Sequence, residues 1–325
     1  MMKAVYLAIL TSLNLAGATP CPSHHFKWGE IKHIFIGDYR PGNLAFTPEQ
    51  LLSNKIIQNF RGTSAAGPNW VEFLSGCAVE NGEWLPSECS IQLWNFAYAG
   101  ADYSEEFLPI HANHTTPMVN QTLQYLTYGE PAIGNKIDKS KTLVAIWIGI
   151  NDVGDAAKLD VNLEEYYDAI IEAMLSQSVE WLYEASFQNF LFLNIPPRDR
   201  SPSYIGKDEQ QQAAKNQARW WNERLSIRVP EFAKSHPSAK VMMYDTNTFF
   251  TKVLDEPEKY GFLNTTGLCA GANTEDVLDH PEFYGCTPLS TYFWLNSGHI
   301  HKVMAKDLEH FLRSESSAIQ EHRST

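Results

Sequence analysis

The sequence predicts an α/β fold in which helices cover both faces of a parallel sheet. The first observation is a set of short, continuously apolar runs, which are typical of strands buried on both faces. The second is that longer amphipathic stretches lie between or after these runs, as expected for helices that connect parallel strands. Right-handed crossovers bring the carboxyl ends of such strands to one edge of the sheet, where binding sites collect.

Five apolar runs predict strands, and three amphipathic stretches predict helices. The strand runs cover residues 34–36, 93–98, 143–150, 190–195 and 241–244. The helical stretches cover residues 163–185, 208–228 and 301–312. Because proline cannot donate a helix hydrogen bond, we expect the second helix to end before Pro230. Residues 39–68 and 264–292 are expected to form long loops.

The N-terminal residues match the pattern of a secretory signal peptide. A short basic start at residues 1–3 precedes a mostly apolar run at residues 4–15 and small residues at 16–18. The apolar run is shorter than the ~20 residues that a membrane span needs. We therefore predict a signal peptide over residues 1–18 and a single domain over residues 19–325. The mature protein is expected to be secreted, extracellular and free of the membrane.

Two further features agree with export. Sequons for N-linked glycosylation begin at Asn113, Asn120 and Asn264, and each implies an exposed segment. The chain has five cysteines, an odd number for an oxidising compartment. Proximity in the sequence favours the pairs Cys77–Cys89 and Cys269–Cys286, which leaves Cys21 over.

Charge and motif content limit the class of ligand. The formal net charge is −13, which disfavours nucleic acid and anionic lipid as partners and suits a small neutral substrate. The histidines at residues 24–25 and at 299 and 301 are too sparse for a metal site, and there is no glycine-rich phosphate loop. We therefore expect no metal ion and no cofactor, and the sequence gives no indication of an oligomer.

Four blocks occur in a fixed order along the chain. They are HIFIGDY at residues 33–39, NFAYAG at 95–100, WIGIND at 147–152 and WLNSGH at 294–299. In this order the blocks resemble those of the SGNH/GDSL esterases, and most closely the secreted fungal acetylesterases of that group. The resemblance covers nearly the whole mature chain. It implies a three-layer α/β/α sandwich of flavodoxin-like type.

The resemblance also implies roles for particular residues. The backbone N–H groups of Tyr39 and Gly100 and the side chain of Asn151 match the family's oxyanion donors. His299 matches the catalytic base, with His301 the nearest competing histidine. Asn296 stands three residues before it, where the family usually has an aspartate. Gly100 also suits a tight turn and Asn151 a helix cap, so each has an ordinary structural explanation.

Two residues depart from the family's catalytic pattern. Tyr39 follows Asp38 where the family has its nucleophilic serine, and a phenol oxygen lies too far from the backbone to attack in the same geometry. Asn296 accepts a hydrogen bond from the base but cannot stabilise an imidazolium ion by charge. In the Ser-His-Asp template, that exchange costs a factor of ~10⁴ in turnover.

These departures leave two hypotheses open. The first is a secreted ester hydrolase with a degenerate triad, which removes acetyl groups from carbohydrate and uses a water polarised by His299 as the attacking group. The second is a catalytically inactive pseudoenzyme that binds an acylated sugar or a protein partner. An error in the gene sequence beside Asp38 would also account for Tyr39.

Overall fold

The computed structural model describes residues 26–37, 47–53, 56–58, 68–77, 79, 82–98, 100–113, 115–271, 274, 276–277, 280–294 and 304–321. Within these residues the strands belong to a five-stranded parallel sheet and a separate antiparallel pair. In chain order they are β1 (His33–Gly37), β2 (Ile56–Gln58), β3 (Gly82–Trp84), β4 (Gln92–Asn95), β5 (Thr142–Ile146), β6 (Asn189–Leu193) and β7 (Lys240–Tyr244). Strands β2 and β3 form the antiparallel pair, which the sequence did not predict.

The order of the main sheet is β4-β1-β5-β6-β7, and every neighbouring pair is parallel. From β1 the chain continues to β4, which pairs with one edge of β1. It then crosses back to β5, which pairs with the opposite edge of β1. This is the flavodoxin-like order, and a ligand site is expected where the order reverses, between the carboxyl ends of β1 and β5. All five predicted strands of the main sheet are confirmed. Three of them were predicted too long at the carboxyl end, at residues 96–98, 147–150 and 194–195.

The helices of the described residues cover both faces of the main sheet. They are α1 (Pro48–Ser53), α2 (Trp70–Ser75), α3 (Met118–Gln124), α4 (Ile150–Ala156), α5 (Leu163–Met174), α6 (Glu180–Glu184), α7 (Asp208–Ser235), α8 (Thr246–Asp255) and α9 (Met304–Glu321). A π-helical segment, Leu175–Val179, joins α5 to α6, so the helix predicted over residues 163–185 is confirmed as one continuous stretch. A second, Tyr125–Gly134, continues α3. The third predicted helix corresponds to α9, which extends beyond residue 312.

Alternate side chains of the strands enter two different cores. Val144 and Phe190 face one cluster, which also contains the apolar faces of α5 and α7. Leu143 and Leu191 face the other, which contains those of α2, α8 and α9. Because side chains alternate across a strand, the sheet lies between two layers of helices. The predicted three-layer α/β/α sandwich is therefore confirmed.

Helix α7 does not end before Pro230, so that prediction is wrong. Pro230 lies on the exposed side of the helix, where water can satisfy the carbonyl that lacks its usual N–H donor. Val229 and Phe232 are buried in the core and continue the apolar face beyond the proline. The helix ends at Ser235, and Nε2 of the next residue, His236, lies 2.9 Å from a carboxylate oxygen of Glu180. The free energy gained by burying apolar side chains before and after the proline thus exceeds the cost of losing one backbone hydrogen bond.

Both predicted disulfides, Cys77–Cys89 and Cys269–Cys286, are confirmed. The predicted loop at 264–292 contains two short 3₁₀ turns among its described residues, Pro281–Tyr284 and Leu289–Thr291, and a parallel β-bridge joins its ends at Asn264 and Tyr292. The predicted signal peptide and Cys21 lie outside the described residues. None of the described helices is both long enough and apolar enough to cross a membrane.

Candidate active site

The structure describes two of the five residues that the sequence placed in the site. Gly100 follows β4, and Asn151 lies in the first turn of α4, directly after β5. Tyr39, Asn296 and His299 lie outside the described residues, so the roles predicted for them stay predictions. Strand β1 ends at Gly37, in register with Ile146 at the end of β5. The first and third sequence blocks therefore lead out of neighbouring strands at the same edge of the sheet.

The conformation of Gly100 requires glycine. Its φ angle is +70°, in the left-handed region that residues with a Cβ rarely adopt. A Cβ built at this position would lie 3.3 Å from the Cβ of His111, which is a tight contact. The turn at Gly100 redirects the chain from β4 into the segment that packs against α4.

Gly149 allows helix α4 to begin immediately after β5. Its φ angle is +115°, and a Cβ at this position would lie 2.3 Å from an atom of the Trp221 ring. Asn151 follows two residues later, and its Nδ2 donates a hydrogen bond to the carbonyl oxygen of Ala101 at 3.0 Å. An amide nitrogen carries two N–H groups, so Asn151 retains a second donor. The side chain that the family pattern assigns to an oxyanion hole thus lies beside the backbone that follows Gly100.

Asp152 fixes the same segment from inside the protein. Its carboxyl group is fully buried, and Oδ1 accepts a hydrogen bond from the backbone N–H of Tyr103 at 2.9 Å. Burial raises the pKa of Asp152 to about 7, against the opposing effect of that hydrogen bond. Together, Asn151 and Asp152 attach residues 101–103 to α4. The aspartate that ends the WIGIND block therefore has a positioning role.

Three further side chains meet next to this segment, and sequence analysis did not identify them. Asp102, His111 and Asp155 each bring a potential metal-ligand atom to within 4.8 Å of the others. His111 Nε2 contacts Asp155 Oδ2 and lies 3.8 Å from Asp102 Oδ2. Asp155 follows Asn151 by four residues on α4, which places both on one side of the helix. His111 lies in an irregular segment without periodicity, so no sequence pattern connects it to the other two.

The three sequon asparagines lie in different environments. Asn113 is exposed in a turn, and Asn120 is exposed on α3. Asn264 is half-buried, and its Oδ1 accepts hydrogen bonds from the backbone of Thr266 and Gly267. The expectation of exposure therefore holds for the first two asparagines and only partly for the third.

Comparison with protein families assigns the chain to a class. The model of the GDSL-like Lipase/Acylhydrolase family matches residues 37–303, which is most of the chain. The protein therefore belongs to the GDSL family of lipases and acylhydrolases, as the four sequence blocks indicated.

Individual relatives are more distant. An acetylesterase of Thermothelomyces thermophilus is 28% identical over 222 residues, which cover 66% of this chain and 68% of the relative. The inactive GDSL esterase/lipase-like protein 23 of Arabidopsis thaliana is 21% identical over 52% of this chain and 45% of its own length. A GDSL esterase/lipase of the same plant is 23% identical over 54% of this chain and 53% of its own length. The alignments thus span about half of each plant protein.

Among solved structures, a variant of an acetyl xylan esterase from Geobacillus stearothermophilus is similar to this chain. The match has 18% sequence identity and a TM-score of 0.35, and it covers 70% of this chain and 83% of the other.

Proposed function

We propose that the protein is a secreted carboxylic ester hydrolase that removes acetyl groups from acetylated carbohydrate. The observation that carries the proposal is the position of Asn151, whose amide lies against the backbone following Gly100. Membership of the GDSL family and the similarity to an acetylesterase support the reaction class.

In the proposed reaction, three donors stabilise the charge that develops on the ester oxygen. They are the backbone N–H groups of Tyr39 and Gly100 and the second N–H of Asn151 Nδ2. Fixed donors of this kind act on charge that forms only in the transition state, and loss of one costs about 10²–10³ in kcat. The bond from Asn151 to Ala101 supports this role, because it holds the amide in one orientation before substrate binds.

The attacking group in this proposal is a water molecule, since Tyr39 replaces the serine. His299 takes a proton from the water as the water oxygen bonds to the acetyl carbon. The tetrahedral intermediate then expels the sugar oxygen, which takes the proton from His299, and acetic acid leaves and releases its proton to water. Asn296 accepts a hydrogen bond from the imidazole through its side-chain carbonyl. Enzymes with a disabled triad retain a residual ~10³–10⁴ over the reaction in water, so we expect slow but measurable turnover.

Export of this protein is part of the proposal. The pattern of residues 1–18 supports removal of a signal peptide, which would leave residues 19–325 as the mature single domain. The exposed sequons at Asn113 and Asn120 suit glycosylation on that route. Mass spectrometry of the exported protein is expected to find an N-terminus near Thr19. An N-terminus at Met1 would contradict export through signal cleavage.

Hydrolysis of 4-nitrophenyl acetate and release of acetate from acetylated xylo-oligosaccharides test the catalytic proposal. We expect His299→Ala to remove the activity of the exported protein and Asn151→Ala to lower kcat by about 10²–10³. Asn162→Ala is the matched control, because Asn162 is exposed before α5 and makes no side-chain capping hydrogen bond. Rates that stay equal in His299→Ala and Asn151→Ala would reject the proposal.

The pseudoenzyme hypothesis rests on a specific observation as well. Both Tyr39 and Asn296 depart from the family's catalytic pattern, and one relative is named an inactive member. Under this hypothesis the unmodified chain does not hydrolyse either ester, while Tyr39→Ser does. Calorimetry would then show binding of acetylated but not deacetylated xylo-oligosaccharides. Heat with neither ligand would exclude acylated xylan fragments and direct the search to protein partners.

A further inference from the structure

We propose that Asp102, His111 and Asp155 form a binding site for a divalent transition-metal cation, for which Zn²⁺ is the best match. The three potential ligand atoms all lie within 4.8 Å of one another. Asp102 and His111 belong to the irregular segment after β4, and Asp155 belongs to α4. The site adjoins the candidate oxyanion donors, but the proposal concerns metal binding and does not depend on ester hydrolysis.

The strongest indication of a missing ligand is the carboxylate of Asp102. The side chain is only 3% exposed, and neither of its oxygens has a hydrogen-bond partner among the described residues. The His111 nitrogen, 3.8 Å from Oδ2, is too distant for a hydrogen bond. Buried carboxylates are normally hydrogen-bonded, paired with a cation or bound to a metal, because the ionised form is costly to bury. Asp102 faces His111 and Asp155, so a cation between the three would provide the partner that it lacks.

The charges around the cluster also favour a cation. Three carboxylates, those of Asp102, Asp152 and Asp155, lie near one permanent cation, Lys158. Lys158 is 74% exposed and pairs with Oδ1 of Asp155, which leaves Oδ2 facing His111. A divalent cation would offset the excess negative charge among these described groups.

The donor set selects the kind of metal. Imidazole nitrogen and carboxylate oxygen are both ligands that Zn²⁺ accepts, and three protein ligands leave a fourth position of a tetrahedral zinc site open. Mg²⁺ and Ca²⁺ prefer shells made entirely of oxygen. Zn²⁺ holds such ligands at about 2.0–2.2 Å, so on binding Asp102 must approach the ion while the direct contact between His111 and Asp155 opens to admit it. His111 can make this adjustment because its side chain is 36% exposed.

A bound cation would connect the two elements that carry the candidate oxyanion donors. His111 packs against Gly100, and Asp155 lies one helical turn after Asn151. Asp102 lies between the residues that Asn151 and Asp152 already attach to α4. The metal would therefore add a third link at this junction and stabilise it against thermal opening.

Calorimetric titration of the full exported protein with Zn²⁺, after removal of metals with EDTA, tests the site. We expect one equivalent to bind and to raise the Tm. Loss of a direct ligand in Asp102→Asn, His111→Ala or Asp155→Asn should lower the affinity by more than the ~10–100-fold that an outer partner is worth. His280→Ala is the matched control, because His280 also lies beside a carboxylate, Glu282, but outside the cluster.

The variants separate metal binding from folding. Asp155→Asn keeps the size of a partly exposed side chain, so it reports on the site even where Asp102→Asn lowers the Tm of the metal-free protein. Zn²⁺ binding that survives in His111→Ala would assign the metal to other histidines and overturn the proposal. An affinity for Mg²⁺ equal to that for Zn²⁺ would contradict coordination by the His111 nitrogen. No heat and no Tm shift in the unmodified protein would also overturn it, and Asp102 would then be buried in its protonated form.

Discussion

At the scale of single residues, the edge of the sheet is shaped by glycines that admit no side chain. Gly149 combines a φ angle of +115° with a position directly against the ring of Trp221. Trp221 is fully buried and is part of the core between the sheet and α7. The start of α4, and with it the position of Asn151, therefore depends on close packing between a glycine and a tryptophan.

Alanine substitutions at Gly149 and Gly206 together separate the cost of backbone strain from the cost of overpacking. Gly206 also has a left-handed φ angle, +78°, but a Cβ there would meet nothing within 4 Å. We expect Gly206→Ala to cost about 1–2 kcal/mol from backbone strain alone. Gly149→Ala should cost a further ~1–3 kcal/mol from overpacking against Trp221. Urea denaturation of both variants measures the difference, and equal losses would show that Trp221 moves aside without penalty.

Single residues of the site differed in how well the sequence could predict them. Gly100 and Asn151 each follow a strand of the sheet, so a motif at a strand end was enough to bring them together. Asp102 and His111 come from an irregular segment whose path is set by hydrogen bonds to α4 and by packing. No local pattern encodes such contacts, because they depend on side chains that are about 50 residues apart in the chain.

At the scale of elements, an ion pair joins helices α5 and α7 on their outer side. Arg228 donates two hydrogen bonds to Asp168, from Nε at 2.9 Å and from a terminal nitrogen at 2.6 Å. The two side chains are 30% and 26% exposed, so the pair is partly shielded from solvent. The hydrogen bond from Arg228 is the main cause that holds the pKa of Asp168 below its usual value.

The lowered pKa of Asp168 predicts a pH-dependent contribution to stability. Because the folded state favours the ionised form, the contribution is complete above the unfolded pKa of about 3.9 and is lost as pH falls through the lower folded value. Asp168→Asn should therefore cost about 1 kcal/mol at neutral pH, with the deficit shrinking in acid. Denaturation midpoints across that range provide the measurement.

A surface pair supplies the control for this experiment. Arg219 and Glu223 form a similar contact on α7 but are 52% and 53% exposed. Glu223→Gln is expected to cost less than about 0.5 kcal/mol at any pH. A deficit in Asp168→Asn that does not depend on pH would show that packing, rather than charge, is what the substitution removes.

The elements themselves were predicted well where burial and local propensity agree. The five strands of the main sheet follow from apolar runs alone, and every residue of β5 and β6 is buried. Three of the five were predicted too long at the carboxyl end, since residues 96–97, 149 and 194–195 stay buried after the ladder of backbone hydrogen bonds has ended. The predicted end of α7 was wrong because the helix hydrogen bond lost at Pro230 was given more weight than the burial of Phe232. Only the tertiary structure shows that burial.

At the scale of the whole molecule, the two disulfides connect different kinds of structure. Cys77 is fully buried in the core that contains α2, α8 and α9. Cys269 belongs to a small separate cluster with Val277, Leu289 and Tyr292. This cluster holds the loop that leads to Trp294, from which the chain continues toward the residues predicted as Asn296 and His299. The Cys77–Cys89 bridge therefore stabilises one of the main cores. The Cys269–Cys286 bridge stabilises the loop that leads to the predicted site residues.

Removing each bridge should consequently have different effects. The bridges have similar sequence separations, 12 and 17 residues, so chain entropy predicts a similar loss of about 3 kcal/mol for each. The double substitution Cys77→Ala and Cys89→Ala also removes buried core atoms, so we expect it to lower the Tm of the whole protein more. The double substitution Cys269→Ala and Cys286→Ala should instead open the loop locally, since its cluster is separate from both main cores. Hydrogen exchange at residues 264–292 would then rise while exchange in β5 and β6 stays slow. Uniformly faster exchange in the second variant would show that the loop unfolds together with the sheet, and that the small cluster is energetically part of the core.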